Sequence, residues 1–510
     1  MKGPGSRSTL TRTERPQLQG PGVLRRRYVR PAPGPVAKAP ASEGTAPAGE
    51  SSAAPEEAAP RGFWSSPQLV PGFVILQLVC QLALLVEVLS PMRVVFRILS
   101  FGVSLVLLGF VPGRHLRHPA LPFVLGAMGI TTLNMFHPET SSVLAGLAQL
   151  GIQFSVMAPL LWVTRLRMDP ATFRRTVALL FLFNAASAAV GVLQVYFPGR
   201  FQPAMSTVIG SMGDAYTESL QFETATGQRV FRPFGLTDIP GGAATGAFYS
   251  VLLGSGFLIS SKRGLIRVLS AGGIFLGLIS LYLCQVRAIA VMLLVCLLAI
   301  AIVLALNGRL MRMTKLLLVV GGFAIVGFGG AVMMGGDAIT QRWSTLLERE
   351  AGEVYYSNRG YFLDGALSYF LPKYPVGAGL GRYGMANAYF GGSRDPSSPP
   401  LWAEIQWTAW IFDGGVPVLV LYPLGLLVAL FWALRLAFLR DDTQEFWLWG
   451  SILFGFNMGA IAITFSYPFF MSQPGLVFWL LNAALFGAHQ HARRQAPRPP
   501  ADATVHAHRR

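Results

Sequence analysis

The chain has 510 residues, of which 52% are hydrophobic, and its mean hydropathy is +0.49. Apolar runs of roughly 20 residues recur along most of it, which indicates a polytopic membrane protein and excludes a string of ordinary soluble domains. A formal charge of +17 would suggest a nucleic-acid partner in a soluble protein, but here the basic residues lie in short patches between apolar runs. We therefore expect no nucleic-acid partner.

The cysteines give no sign of a disulfide framework or a metal centre. Cys80, Cys284 and Cys296 all lie within apolar runs. Thiols in such positions are most often packing residues, and no cluster with metal-ligand spacing accompanies them. The sequence predicts no metal site and no cofactor.

Both ends of the chain are predicted to be tails. Residues 1–62 are rich in Pro, Ala, Gly and Arg and contain no sustained apolar stretch, which predicts a disordered basic tail in the cytoplasm. They do not form a signal peptide, because the first apolar run starts only near Leu69. Residues 493–510 form a second cytoplasmic tail, so the transmembrane domain covers residues 63–492.

About twelve apolar segments in this domain predict an all-α bundle of about twelve membrane-spanning helices. Their approximate centres are Val79, Ser104, Gly126, Val156, Ala186, Leu252, Gly277, Leu297, Ala324, Leu421, Gly455 and Leu480.

The charges in the connections predict the direction of the bundle. Alternate connections are basic: they carry Arg114 and Arg117; Arg165, Arg167, Arg174 and Arg175; Lys262, Arg263 and Arg267; Arg309, Arg312 and Lys315; Arg435 and Arg440. By the positive-inside rule these connections face the cytoplasm, as do both termini. The loops at about 198–240 and 336–405 then face outward, and Arg93 and Arg97 are the exception to the pattern. The second of these loops is the only long polar insertion, and we expect it to contain short helices.

Three arginines are predicted to meet on the outward face. Arg287 lies between two apolar runs, almost without a loop, and an arginine at this depth suggests a functional site unless it reaches the outer headgroups. Arg232 opens the sixth span. Arg359 is predicted to begin an amphipathic helix that Ser357 or Asn358 caps, with an apolar stripe from Phe362 to Phe370. Guanidinium groups bind phosphate oxygens in bidentate fashion, so the three would suit a lipid-linked diphosphate.

A glycine-rich segment follows this helix and is a weaker phosphate-binding candidate. It reads Pro375-Val-Gly-Ala-Gly-Leu-Gly381, and the backbone amides around Gly379 have little side-chain shielding. No Walker lysine follows it and no predicted strand precedes it, so it is not a nucleotide-binding loop.

Taken together, these features resemble the O-antigen ligase and O-antigen polymerase superfamily. The shared features are an arginine at the outer end of a span, a long external loop with an arginine-led helix, Tyr374-Pro375 with the Gly377, Gly379, Gly381 series, and a polar residue about ten positions before Gly414-Gly415. The resemblance covers roughly residues 232–436 in motif and 65–490 in topology.

The resemblance implies a metal-independent, C-type glycosyltransferase of the bacterial inner membrane that acts on undecaprenyl-diphosphate-linked oligosaccharides at the outer face. It assigns Arg232, Arg287 and Arg359 to the diphosphate. Ligases carry a histidine where this chain has Glu404, and this departure favours polymerisation of the lipid-linked repeat units over ligation, with Glu404 as the base and Arg287 as the second catalytic residue. The implied partners are the lipid-linked substrate, membrane lipids, and the flippase and chain-length or export proteins of a polysaccharide assembly system.

Other interpretations stay open at this point. The chain could transfer glycan to a lipid acceptor as a ligase does, move lipid-linked glycan or a small solute as a flippase or transporter, or serve as a non-catalytic assembly partner. Glu404 could be an ordinary solvated loop carboxylate. His137 and Glu139 are secondary site candidates, and Glu87 and Asp413 are expected at helix-packing or mouth positions.

Overall fold

We analysed a computed structural model of the chain, which describes residues 62–113, 116–204, 213–348, 350–391, 400–440 and 444–495. Apart from Gly62, the predicted N-terminal tail lies outside the described residues. Helix accounts for 77% of the described residues. The strands described are Gln221–Glu223 (β1) and Arg229–Phe231 (β2), which form one antiparallel hairpin with Phe222 opposite Val230. The predicted helical architecture is therefore confirmed, with this small hairpin as an addition to it.

The longer helices are numbered in chain order. They are α1 (Leu69–Ala83), α2 (Arg93–Phe110), α3 (Leu121–Leu133), α4 (Val143–Met157), α5 (Pro170–Tyr196), α6 (Ala243–Ser260), α7 (Gly264–Cys284), α8 (Arg287–Leu306), α9 (Leu310–Gly335), α10 (Asp337–Glu348), α11 (Gln406–Ala437), α12 (Phe446–Ile463) and α13 (Gln473–Gln495). Shorter helical segments are Phe63–Ser65, Glu87–Met92, Asn134–Phe136, Pro159–Trp162, Val163–Arg165, Pro198–Phe201, Asp214–Ser219, Ala351–Tyr355, Tyr356–Gly360, Tyr361–Gly365, Ala366–Phe370, Leu371–Lys373, Gly384–Phe390 and Phe469–Met471.

Nine helices in the described part of the chain are long and apolar enough to cross a membrane. They are α2 with its preceding turn, α4 with its continuation to Arg165, α5 to α9, α11 and α12. All twelve predicted centres lie in helices, but α1 and α3 are shorter, and α13 ends in the polar residues His489 to Gln495. The chain thus has the apolar helices of a membrane protein, while the count of twelve spans stays a prediction. Because α13 runs to Gln495, the first three residues of the predicted C-terminal tail are helical.

Local sequence signals explain where individual helices begin. The Ser142 hydroxyl accepts a hydrogen bond from the amide of Ala145 (3.0 Å) and caps α4. The Asp169 carboxylate does the same for α5 through Thr172 (2.7 Å), and Pro170 occupies the first helical position, where no donor is needed.

The connections fall into two groups, and the members of each group contact one another. In one group, Arg97 pairs with Asp238 (2.7 Å), the amide of Ala225 donates to the carbonyl of Met334 (3.1 Å), and the amide of Ser141 donates to the carbonyl of Leu380 (3.0 Å). These residues lie in, or at the helix ends next to, the connections that the charge pattern predicts to be outside. Arg97, the exception to the pattern, is thus compensated by a carboxylate of a loop that is predicted to share its side.

The second group joins the basic connections. Arg174 pairs with Glu445 (3.0 Å), Asn307 donates to the carbonyl of Ala437 (2.9 Å), and Lys315 donates to the carbonyl of Leu258 (3.3 Å). Connections predicted to share a side of the membrane therefore lie together, as alternating crossings require. Which group faces the cytoplasm stays a prediction.

Candidate functional site

Arg287 is placed by the tip of the α7–α8 hairpin. Helix α7 ends at Cys284, Gln285 adopts a left-handed conformation (φ 58°), and α8 begins at Arg287 itself, so the connection is as short as the sequence predicts. The half-buried guanidinium donates through Nη1 to the hydroxyl of Thr345 in α10 at 2.7 Å. The tip thus presents a cation toward the long loop.

Arg232 comes from the β1–β2 hairpin, immediately after β2. Its amide donates to the carbonyl of Leu220 (2.9 Å) and its Nη2 to the carbonyl of Ser219 (3.1 Å), which fixes the residue at the base of the hairpin. The buried Nε of Arg232 has no hydrogen-bond partner among the described residues. Next to it, the carbonyl of Pro233 lies 3.9 Å from the Sγ of Cys284, so this segment contacts the end of α7.

A third arginine, Arg342 of α10, joins these two. Burial, followed by the charges of Arg287 and Arg232, lowers the pKa of the Arg342 guanidinium to about 10. Burial also lowers the pKa of Arg232, and the charge of Arg287 adds to this effect. Arg232, Arg287 and Arg342, which we call the arginine cluster, therefore interact as like charges.

The arginine cluster has no counter-charge within the described residues. The ion pairs found there are Arg97–Asp238, Arg174–Glu445, Arg359–Glu404 and Arg382–Glu139, and none includes a member of the cluster. The buried Nε of Arg342, like that of Arg232, has no hydrogen-bond partner there. Like charges held together without an acidic neighbour are costly, and a bound anion would offset that cost.

Arg359 and Glu404 form a separate pair with each other. One carboxylate oxygen of Glu404 contacts Arg359, and the other accepts a hydrogen bond from the indole Nε1 of Trp402 at 2.9 Å. No hydrogen bond or ion pair among the described residues links this pair to the arginine cluster. Arg232 and Arg287 thus lie close enough to interact as like charges, whereas Arg359 pairs with the candidate base, and binding of a diphosphate by these residues stays a prediction.

The helix around Arg359 differs from its prediction. It begins at Ala351 rather than at Arg359, and Arg359 lies inside a π-helical segment, Tyr356–Gly360. The side chains of Ser357 and Asn358 bond back to the carbonyl of Val354 and cap no helix start. The predicted apolar stripe is present, and its residues Ala366 and Phe370 pack in one cluster with Phe412 of α11, so tertiary packing rather than a local cap stabilises this helix.

Gly379 lies in a segment whose neighbouring amides have protein partners. The amide of Ala378 donates to the carbonyl of Phe412 (2.9 Å), that of Leu380 to Thr140 (3.2 Å), and that of Gly381 to Gln149 (2.6 Å). The φ of Gly379 is +80°, and a Cβ there would meet the amide nitrogen of Thr140 at 2.7 Å. Phosphate binding by Gly379 stays a prediction, and these contacts give it no support.

The glycine segment packs against a break in α11. Gly415 adopts a φ of +59°, which interrupts the helix, and the amide of Val416 donates to the carbonyl of Pro375 (2.9 Å). Backbone groups freed by a break in an apolar helix need protein partners, and the segment supplies them. The glycines therefore allow close approach of two backbones.

Asp413, just before the break, is the centre of a buried polar network. Its carboxylate accepts hydrogen bonds from Gln149 (2.5 Å), Gln153 (2.7 Å) and the hydroxyl of Tyr383 (2.7 Å), and only 3% of the residue is exposed. Three neutral donors satisfy the carboxylate. Asp413 thus occupies a helix-packing position, as expected, and its contacts link α4 and Tyr383 to α11.

The secondary site candidates Glu139 and His137 lie in the connection between α3 and α4 and have their own contacts. Glu139 pairs with Arg382, whose side chain is 3% exposed, while the His137 ring accepts a hydrogen bond from the amide of Glu139 (3.2 Å). Glu87 begins the short helical segment before α2.

Arg342 is the member of the arginine cluster that the sequence did not predict. Its signal is the helical spacing of Ile339, Arg342 and Thr345, three residues apart on one face of α10.

Comparison with known proteins found no family model that matches the chain and no curated protein that matches it. The resemblance to the O-antigen ligase and polymerase superfamily therefore stays a prediction from the motifs.

Proposed function

We propose that this protein is a metal-independent membrane glycosyltransferase that polymerises undecaprenyl-diphosphate-linked oligosaccharide repeat units at the outer face of a bacterial inner membrane. The observation that carries the proposal is the arginine cluster. Three guanidinium groups from β2, α8 and α10 interact as like charges, and no described carboxylate compensates them. Such a site favours a multiply charged anion, and a diphosphate fits that requirement.

In the proposed reaction the growing glycan moves from its lipid diphosphate to the next repeat. The bond between the anomeric carbon and the diphosphate oxygen breaks, and a bond forms from that carbon to a hydroxyl oxygen of the incoming lipid-linked unit. The bonding electrons leave with undecaprenyl diphosphate, and the hydroxyl proton passes to a base. Single displacement inverts the anomeric carbon, and the arginine cluster stabilises the charge on the departing diphosphate.

Glu404 is the proposed base, with Arg359 and Trp402 as its positioning residues. These two donors orient both carboxylate oxygens. Both carboxylate oxygens of Glu404 already have a donor as a partner, so one of these two contacts has to break when a sugar hydroxyl arrives. The carboxylate in place of the ligase histidine is what favours polymerase over ligase activity.

The proposed orientation has about twelve spans with both termini in the cytoplasm, and thiol labelling tests it. Thr340, Ser368 and Lys262 are exposed, and the native cysteines are buried, so single cysteines at these positions should react against a low background. A membrane-impermeant reagent added outside should label Thr340→Cys and Ser368→Cys in intact spheroplasts, and Lys262→Cys only after permeabilisation. The reverse labelling pattern would place the arginine cluster on the cytoplasmic side and contradict the proposed function.

The function itself is tested with purified protein in liposomes. Lipid-linked repeat units supplied from the same cells should be converted to a ladder of longer lipid-linked glycans in the presence of EDTA and without nucleotide sugar. A single larger product on a different lipid acceptor would indicate a ligase. No new glycosidic bond would contradict the proposal.

A transporter is the second candidate, and the break in α11 beside the buried Asp413 is the observation that favours it. However, the cavity lined by Asp413 and Gln153 has a volume of only about 10 Å³, room for about one water molecule. The same liposomes distinguish the two functions, because a flippase would move fluorescent lipid-linked glycan across the bilayer and leave its length unchanged.

A further inference from the structure

Helix α10 is held firmly against the tip of the α7–α8 hairpin. The indole Nε1 of Trp343 donates to the carbonyl of Tyr282 at 3.3 Å, and the two rings meet edge to face with centroids 5.4 Å apart. Arg287 donates to Thr345 of the same helix at 2.7 Å. Two residues that follow Arg342 closely along the helix are therefore fixed to the hairpin.

The apolar face of α10 fixes its rotation. Ile339 is fully buried and packs in one cluster with Val230 of β2 and Leu283 of α7. Ile339, Arg342 and Thr345 are three residues apart, so they follow one face of the helix. Arg342 thus lies between a residue packed on β2, which leads into Arg232, and a residue bonded to Arg287. Packing therefore brings the three arginines together against the repulsion of their like charges.

We propose that Arg342 is the third anion-binding residue of the site, in the role that the sequence suggested for Arg359, and that the ligand carries at least two negative charges. The identity of that ligand as a lipid diphosphate rests on the proposed function. A monoanion would leave most of the positive charge of the cluster uncompensated, whereas a phosphate ester or diphosphate offers several oxygens to the guanidinium donors. Arg359 already has Glu404 as its counter-charge.

Binding of inorganic pyrophosphate to the purified full-length protein tests this assignment. Titrations at constant ionic strength should give affinities in the order pyrophosphate, phosphate, chloride. Arg342→Gln should weaken pyrophosphate binding about 10-fold or more, the effect of losing one charge-assisted hydrogen bond. Arg359→Gln, which tests the competing assignment, should change it less than about twofold, as should the matched control Arg267→Gln, and Arg342→Lys should restore only part of the affinity.

Melting temperature without anion separates binding from a structural role. Because Arg342→Gln removes one of three like charges, its anion-free melting temperature should equal or exceed that of the wild type, while the rise caused by pyrophosphate should shrink. A structural residue would instead lower the melting temperature equally with and without pyrophosphate. If Arg342→Gln fails to fold, Arg342→Lys must still bind pyrophosphate more weakly than Arg359→Gln.

Two results would overturn the inference: pyrophosphate affinity unchanged in Arg342→Gln, or an equal loss in Arg359→Gln. Its failure is distinct from that of the proposed function. If pyrophosphate binding follows the expected pattern but liposomes form no glycosidic bond, the anion site is supported and the proposed polymerase activity is contradicted. If the protein in liposomes makes polymer while Arg342→Gln binds pyrophosphate normally, only the assignment of Arg342 to the anion site is contradicted.

Discussion

Replacing Arg287 with alanine should abolish polymer formation while leaving the protein inserted and folded. The guanidinium is a member of the arginine cluster at the tip of the α7–α8 hairpin, and its only described hydrogen bond is to Thr345. Without it, the charge that develops on the departing diphosphate loses a positioned donor, and single donors of this kind contribute about 100-fold or more to rate. Folding should survive because the substitution also relieves repulsion of Arg232 and Arg342.

The measurement is the glycan ladder from proteoliposomes at matched protein level. Arg287→Lys should recover little activity, since an ammonium group keeps the charge but loses the planar fork. Arg267→Ala removes an exposed arginine from the other end of α7 and should leave the ladder unchanged. A normal ladder from the Arg287→Ala variant would take this residue out of the site and leave the arginine cluster without a role in transfer.

Replacing Glu404 with glutamine should slow glycan transfer by about 100-fold or more, the usual range for loss of a general base. Glutamine keeps the size of the side chain and can still accept the hydrogen bond from Trp402, so substrate binding should persist. The rate is measured in single turnover with purified lipid-linked repeats, and binding is measured separately by their protection of the protein against heat. Glu348→Gln, which changes an exposed carboxylate of the same long loop, is the control.

The ion pair with Arg359 offers a competing explanation, in which Glu404 serves only to hold that arginine. A double-variant cycle decides between the two. If Glu404 is the base, Arg359→Gln should be much faster than Glu404→Gln. If the pair acts only as a structural link, both single variants and the double variant should be slowed equally. Transfer at the wild-type rate in Glu404→Gln would move the base elsewhere, with Glu353 and Asp364 as the next candidates.

The membrane character of the chain and the grouping of its connections could be predicted from sequence. Apolar length and the distribution of Lys and Arg act along the chain, so they can be seen without tertiary structure. The predicted groups lie together in the structure, and even the exception, Arg97, pairs with Asp238 from a loop predicted to share its side. The short connection before Arg287 was also visible in the sequence.

Sequence rules for local structure did not predict the contacts that tertiary packing imposes. Ser357 and Asn358 were suitable caps by residue type, yet the helix continues through them because its apolar face packs against α11. The glycine segment suggested a phosphate cradle, which stays a prediction, but the amide of Ala378 donates to the α11 carbonyl of Phe412, and those of Leu380 and Gly381 donate to side chains of Thr140 and Gln149. A pattern of residue types does not reveal which partner a backbone amide finds.

The sequence by itself indicated a helical membrane protein with one long polar loop, and it grouped Arg232 and Arg287 with Arg359 as a predicted anion site. Only the tertiary structure places Arg342 beside the first two. Arg342 and Arg359 lie in the same loop and have the same chemistry, so residue type and loop position alone do not rank one above the other. The packing of Ile339 against β2 and α7 sets the rotation of α10 and so places Arg342 beside Arg232 and Arg287. The charge of Arg359 is compensated by its ion pair with Glu404. Both are long-range contacts, which periodicity and spacing along the chain do not encode.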